Sequence, residues 1–408
     1  MNPAITLDHL IGARCPVCDT RIAVPFFDGG RQPLATLGWP QSAHAAQEMP
    51  RHALDFVQCP SCTHVWNRAF RYEDIPYQRN PNRMFNKGLL WQEHLAHSAR
   101  ALLERLPAGP TVVDIGCGEG HFVRGLANTH GPGGRFVGFD PNTSPESGAG
   151  IEFHARLFEP LRDMEGFAPD AVVMRHVLEH LTNPADFIEQ LAWGAVNSPK
   201  PCWLFVECPC IDRVFETDRL ADFFYEHVSH FTTDSFRRLI ERGGEIDYLH
   251  HGYDGEVVYA IARLAVDPAD RERAARASQF SERARASAEA IRGQLDQLAR
   301  GGSLVAIWGG TGKGAAFINH FRADATRFPL VVDSDPEKVG TYVPGTGQRI
   351  EFRDALKRKP ADTVIIPTQW RAKDIVKEME REGIEVRTVL IEHGGQLVDF
   401  STADHPYR

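Results

Sequence analysis

A chain of 408 residues is too long for one ordinary hydrophobic core, so two or three domains are expected. Hydrophobic residues at 42% and charged residues at 24% match soluble globular proteins and exclude a disordered, collagen-like or disulfide-scaffold chain. A formal net charge of -9 leaves no basic footprint for a nucleic-acid backbone and favours a small-molecule substrate.

Residues 1–75 are dense in Cys, Pro, Gly and turn formers and show little helical period, the pattern of a small module that needs a staple. No signal-peptide pattern opens them and no run of eighteen apolar residues follows anywhere, so no membrane partner and a cytoplasmic address are expected. Cys15 with Cys18, and Cys59 with Cys62, are two Cys-x-x-Cys pairs. Two-residue spacing lets both sulfurs of a pair reach one ion, so the four thiolates are expected to close a tetrahedral, structural Zn²⁺ site. Cys117, Cys202, Cys208 and Cys210 have no such pairing and read as packing residues.

From about residue 85 to 106, Leu89, Leu90, Leu95, Leu102 and Leu103 recur at helical spacing until Pro107 stops the helix. Strand-like runs at 112–115, 136–139, 171–174 and 203–206 alternate with helical patterns such as 184–195, which predicts a doubly wound, parallel α/β sheet in a middle domain of residues 76–268. The stretch 269–300, rich in Ala, Arg, Glu and Gln, predicts a connector helix ended by Gly301 and Gly302. It opens a C-terminal domain, residues 269–408, whose strands at 304–308, 330–333, 363–366 and 387–391 and helix near 373–381 predict a second α/β fold of Rossmann-like type.

The run Thr111-Val-Val-Asp114-Ile-Gly116-Cys-Gly118-Glu-Gly120 places an apolar strand before a turn of three glycines, then an apolar helix. Such a turn brings backbone close to a ligand, with free N–H groups behind it; a dinucleotide loop and a nucleoside loop share this much. Asp114 at the strand end and Asp140 closing the next strand make the segment similar to the class I S-adenosylmethionine-dependent methyltransferases. The resemblance implies that Asp140 accepts hydrogen bonds from the ribose hydroxyls. It also implies that the loop after residues 171–174, with Arg175 and His176, borders the methyl donor, since open α/β sheets bind ligands at their strands' carboxyl ends. His176 and His180 either face the active site or are satisfied residues at a helix start.

Several further segments resemble one narrower family. They are the two Cys pairs, the run Phe223-Phe-Tyr-Glu-His-Val-Ser-His-Phe231, the glycine loop Gly309-Gly-Thr-Gly-Lys-Gly314, and Asp333-Ser-Asp-Pro-Glu-Lys-Val-Gly340 followed by Pro344 and Gly345. The chain resembles the sugar C-methyltransferases over nearly its whole length. That implies a class I methyltransferase Rossmann-like core, flanked by a small N-terminal zinc module and a C-terminal Rossmann-like α/β domain. It also implies methyl transfer to carbon beside a ketone of a nucleotide-linked deoxysugar or a related small metabolite.

Such a carbon becomes nucleophilic only after a neighbouring proton leaves, so the site needs a base and an enolate-stabilising group. The family's Tyr-x-Glu-His segment maps its acid and histidine onto Glu226 and His227, but its tyrosine falls on Phe224. His227 is the expected general base, with Glu226 orienting it or stabilising its charged form, His180 near the oxyanion, Tyr77 at the place of another active-site tyrosine, and His230 an extra candidate. A buried Glu226-His227 ion pair is the structural alternative. The loop at 309–314 is a poor P-loop match and either receives phosphates or is a structural turn. Two other readings stay open: O- or N-methylation of another metabolite, and a non-catalytic module that binds S-adenosylmethionine.

Overall fold

The computed structural model describes residues 10–75, 86–142, 146–148 and 150–408. Two compact units divide the chain, Met1–Asp267 and Pro268–Arg408.

The strands of the first unit are β1 (Val24–Gln32), β2 (His52–Gln58), β3 (Val65–Asn67), β4 (Thr111–Ile115), β5 (Arg135–Phe139), β6 (Ile151–His154), β7 (Ala171–Arg175), β8 (Trp203–Pro209), β9 (Ser229–His230), β10 (Gly244–Gly252) and β11 (Val257–Leu264). Seven of them form one sheet in the order β10-β11-β8-β7-β4-β5-β6. Five central strands, β8 to β6 in that order, run parallel, while β11 is antiparallel to both β8 and β10. This is the order expected of a class I methyltransferase core. The two last strands, β10 and β11, extend the sheet beyond the predicted elements, and the helix expected over 85–106 is observed as Leu89–Leu103.

β4 and β7 are nearly continuous apolar runs because both faces of the sheet are covered. Alternate residues go to opposite faces: Val112, Phe136 and Val173 pack with Leu102, Phe122 and Leu126, whereas Val113, Val137 and Val172 pack with Ile188, Leu191 and Phe236. Asp114, Arg175 and Glu207 stand at or near the carboxyl ends of β4, β7 and β8, the edge where ligands bind in such sheets.

The cysteine-rich segment was expected as a separate module, but it does not stand alone. Its antiparallel sheet, β1-β2-β3-β9, is completed by a strand from far along the chain, with Val65 opposite His230 and Trp66 opposite Ser229. Its buried Cys15, Val17, Val57 and Trp66 belong to the same apolar cluster as Val113 and Val172 of the large sheet. A core too small for independence is thereby enlarged.

In the second unit the strands are β12 (Val305–Trp308), β13 (Leu330–Asp333), β14 (Ile350–Phe352), β15 (Thr363–Ile366), β16 (Thr388–His393) and β17 (Gln396–Asp399). Their order is β14-β13-β12-β15-β16-β17, parallel except for β17, a Rossmann-like arrangement. The connector helix, Pro268–Arg300, buries Ile291 and Leu295, whereas Phe280 on the same apolar stripe is 66% exposed. Among the described residues no helix is long and apolar enough to cross a membrane.

Candidate active site

The two Cys-x-x-Cys turns are built alike. The Asp19 N–H donates to the Cys15 carbonyl at 3.1 Å and the Thr63 N–H to the Cys59 carbonyl at 2.9 Å, with Asp19 and Thr63 both at φ 63°. That curl turns all four sulfurs inward: Cys15 lies 3.5 Å from Cys62, Cys18 lies 3.5 Å from Cys59, and all four Sγ atoms are within 4.8 Å of one another. A tetrahedron of thiolates at about 2.3 Å from zinc has edges of about 3.8 Å, so the cluster fits such an ion. Cys202 and Cys208 are buried as packing residues. Cys210 is not merely packing, because its sulfur shares a cluster with Asp212 and His251.

At the end of β4 the glycine turn rises toward the helix His121–His130. Gly116, Gly118 and Gly120 have φ of 71°, 54° and 75°, which only glycine adopts without strain. A Cβ would also lie 2.5 Å from Val177 at Gly116 and 2.5 Å from Phe153 at Gly120. Asp140, just beyond β5, faces the same turn, its carboxylate accepting from the Gly118 N–H at 3.1 Å and the Asn142 N–H at 2.8 Å. Burial pushes the Asp114 carboxyl up to about 7, against the attraction of Arg175 and with the repulsion of Asp140.

Beside this turn lies a buried charged network that sequence reasoning missed. Glu207, fully buried in β8, accepts from Arg175 Nη2 at 2.7 Å and Nε at 3.1 Å, and pairs with His94 Nε2 at 2.6 Å. Burial opposes its charge, but Arg175, His176 and His94 hold it well below the usual carboxylate range. His176, at φ 53°, spans Glu207 and Glu179 with its two ring nitrogens at 3.3 Å from each carboxylate. Burial works against its protonation, yet hydrogen bonds with Glu179 and Glu207 carry it up to about 9. Arg175 and His176 therefore occupy the expected loop, but their side chains are held by acids of the protein itself. Trp91 and Phe122 cover the Arg175 guanidinium at 5.4 and 4.5 Å from their ring centres. The available signal was Glu207 itself, a lone acid inside the apolar run Leu204-Phe-Val-Glu-Cys208, where an unpaired charge is prohibitive.

Glu226 does not take the orientation expected of it. Its buried carboxylate accepts from three successive backbone N–H groups, Ala35 at 3.1 Å, Thr36 at 2.7 Å and Leu37 at 3.0 Å, and from the Thr36 hydroxyl at 3.2 Å. The acid thus pins the loop between β1 and β2 instead of orienting His227 through its carboxylate. Its carbonyl accepts from His180 Nδ1 at 2.8 Å. The His180 and His227 rings then meet at 4.9 Å, and Phe224 stacks on His227 at 4.1 Å. Burial, and then neighbouring His180, His230 and His176, hold His227 well below its ordinary value.

Tyr225 is committed elsewhere, with its hydroxyl on Asp74 at 2.9 Å and on the Arg71 N–H at 2.9 Å, so it does not replace the tyrosine missing at Phe224. His230, its ring centre 6.1 Å from that of His227, commits Nε2 to the Asp222 carbonyl at 3.1 Å. Tyr77 lies outside the described residues. A cleft of about 380 Å³ has His94, Tyr253 and Tyr259 in its wall and includes neither His180 nor His227. In the second unit, a Cβ at Gly314 would run into the Gly309 carbonyl, and Gly309 and Gly312 hold φ of 107° and 56°, so the turn before the helix Lys313–His320 needs glycine for packing at one position and for backbone conformation at two others.

A methyltransferase-domain profile matches residues 91–244, and a C-methyltransferase C-terminal domain profile matches residues 243–396. The chain belongs to a C-methyltransferase family. The protein is an S-adenosylmethionine-dependent methyltransferase with a class I core and a C-methyltransferase C-terminal domain. Among curated proteins none matches its sequence.

Three solved structures illustrate its more distant likenesses. A SAM-dependent methyltransferase from Aquifex aeolicus is 16% identical, over 45% of this chain and 100% of that one, at a TM-score of 0.33. The 1,6-didemethyltoxoflavin-N1-methyltransferase of Burkholderia thailandensis, solved with S-adenosylhomocysteine, is 14% identical over 44% and 82%, at 0.32. Magnesium protoporphyrin IX methyltransferase of Synechocystis PCC 6803 is 16% identical over 45% and 90%, at 0.31. Likenesses this distant carry no argument; the fold of the C-methyltransferase rests on its strand order and the two profile matches.

Proposed function

We propose that this methyltransferase methylates the carbon beside a ketone of a nucleotide-linked deoxysugar or a related small metabolite. The observation that carries the reading is His227, a half-buried imidazole set against His180 in a chain with a C-methyltransferase C-terminal domain. His227 takes the proton from the acceptor carbon, and the released electron pair moves to the carbonyl oxygen as an enolate. His180, held by its Nδ1–H on the Glu226 carbonyl, is the group placed to stabilise that oxygen. When bound, S-adenosylmethionine supplies an electrophilic methyl group on sulfur. Gly116, Gly118 and Gly120 let the backbone approach it, and Asp140 holds the ribose hydroxyls. Asp114, Arg175 and His176 form the wall behind, the latter two fixed by Glu207.

Cys15, Cys18, Cys59 and Cys62 hold Zn²⁺ as a closed, structural site, for four protein ligands leave no position for substrate. A reducing cytoplasm suits four thiolates kept for a metal. The test is incubation of a nucleotide-linked keto-deoxysugar in deuterated water without methyl donor: hydrogen exchange beside the ketone, lost in His227→Ala, supports the reading, and no exchange there, together with no carbon-bound methyl in the product once S-adenosylmethionine is added, overturns it. O- or N-methylation is the second reading, favoured by Phe224 against His227 where an enolate-stabilising hydroxyl is expected.

A further inference from the structure

The turn Leu178–His180 presents two neighbouring side chains, Glu179 and His180, to the same space as His227. One carboxylate oxygen of Glu179 and one ring nitrogen of each histidine lie within 4.8 Å of one another. Each of the two neighbours is aimed by a partner behind it. The His180 Nδ1–H donates to the Glu226 carbonyl at 2.8 Å, and a carbonyl can only accept, so the neutral ring carries its lone pair on Nε2. Glu179 is 2% exposed; Oε1 stands 3.3 Å from His176, while Oε2 is buried with no hydrogen-bond partner among the described residues. A ring N–H on a backbone carbonyl and a carboxylate anchored through its other oxygen are the supports that metal ligands ordinarily have. The Glu226 carbonyl is itself immobilised, because its side chain is locked into the loop at Ala35, Thr36 and Leu37.

We infer that Glu179, His180 and His227 form a second metal site, for one divalent transition-metal ion, and that its occupation silences His227 as a base. Two imidazoles and one carboxylate suit Zn²⁺, Co²⁺ or a similar ion better than Mg²⁺ or Ca²⁺, which prefer oxygen. Bonds of about 2.0–2.2 Å bring tetrahedral ligand atoms to about 3.4 Å apart, a contraction within reach of side-chain torsions. The His227 lone pair that receives a substrate proton is then bound to the metal, so ion and proton exclude one another. The exclusion rests on the proposed role of His227; the binding does not.

The experiment starts from full-length protein carrying zinc in its four cysteines and adds Co²⁺, with bound cobalt and zinc counted after gel filtration. Expected is one Co²⁺ beyond the zinc, with visible absorption lacking the intense thiolate charge-transfer bands of cobalt bound to cysteine. Glu179→Gln and His227→Asn each weaken that binding at least tenfold while keeping the zinc and the cooperative melt; two variants guard against one that fails to fold. In the wild type, solvent exchange into the keto-sugar falls in proportion to bound Co²⁺. No cobalt beyond the zinc, or equal binding in both variants, overturns the site. Undiminished exchange at full cobalt occupancy overturns the silencing. Should the keto-sugar prove not to be a substrate at all, the binding arm still reads the site, so the two failures are separable.

Discussion

Replacing Glu226 by alanine removes one carboxylate and strands three backbone N–H groups, those of Ala35, Thr36 and Leu37, at the buried end of a loop 190 residues away in sequence. A buried donor left without an acceptor costs about 1–3 kcal/mol, and hydrogen bonds to a charged acceptor lie at the upper end. Leu37 is fully buried, Thr36 is half-buried and Ala35 is exposed, so the Leu37 and Thr36 donors carry most of the cost, a total of about 3–5 kcal/mol. For a unit of this size that lowers the melting temperature by about 10 °C. Glu226→Gln retains one acceptor oxygen but turns an N–H₂ group toward donors, and falls about midway. The assay is calorimetric melting of metal-loaded protein beside turnover and methyl-donor affinity. If Glu226→Ala melts like the wild type yet loses turnover, the acid acts directly on the chemistry and the pinning argument fails.

Chelation of the metal at the four cysteines should release β3 and, with it, its partner β9; hydrogen exchange at Val228, Ser229 and His230 should then accelerate at least tenfold along with loss of turnover, read by mass spectrometry. Asp140→Ala should weaken binding of S-adenosylhomocysteine by about tenfold or more, measured by titration calorimetry, since two charge-assisted hydrogen bonds to the ribose are lost. Asp114→Asn should stabilise the ligand-free protein in a pH-dependent way. The carboxyl is raised from 3.8 to about 7 by burial, so its favourable protonated form is fully present below about 4 and lost as pH rises through 7. The asparagine, which cannot ionise, should match the wild type near pH 4 and exceed it by up to about 4 kcal/mol at pH 8 in urea unfolding. An equal gap at both pH values would show that Asp114 is not protonated in the fold.

What could be read from the sequence followed from short-range pattern. The apolar runs at β4, β5, β7 and β8 show because strands covered on both faces need no alternation, and the glycine turn shows because positive φ excludes other residues. The cysteine pairs show because metal geometry constrains spacing. Strands β1 to β3 were invisible for the opposite reason: their burial comes from a sheet completed by β9 and from a core shared with the large sheet, which no local window contains. Glu226 illustrates the same limit at the site. Adjacency to His227 suggested a pair, whereas the acid accepts from amides and a hydroxyl of residues 35–37, reached only through tertiary structure. Glu179 and Glu207 were passed over because a buried acid can be interpreted only once its cationic partners, His176, His94 and Arg175, are placed around it.

The pairing of β3 with β9 also sets an order of events while the chain is being made. Until Ser229 and His230 have left the ribosome, the outer edge at Val65 and Trp66 has no mate, although the cysteines that curl beneath it emerged long before. A nascent chain is therefore required to carry an open β-edge through the synthesis of some 160 further residues, from Asn67 to Ser229, an interval in which that edge is exposed to pairing with a neighbour.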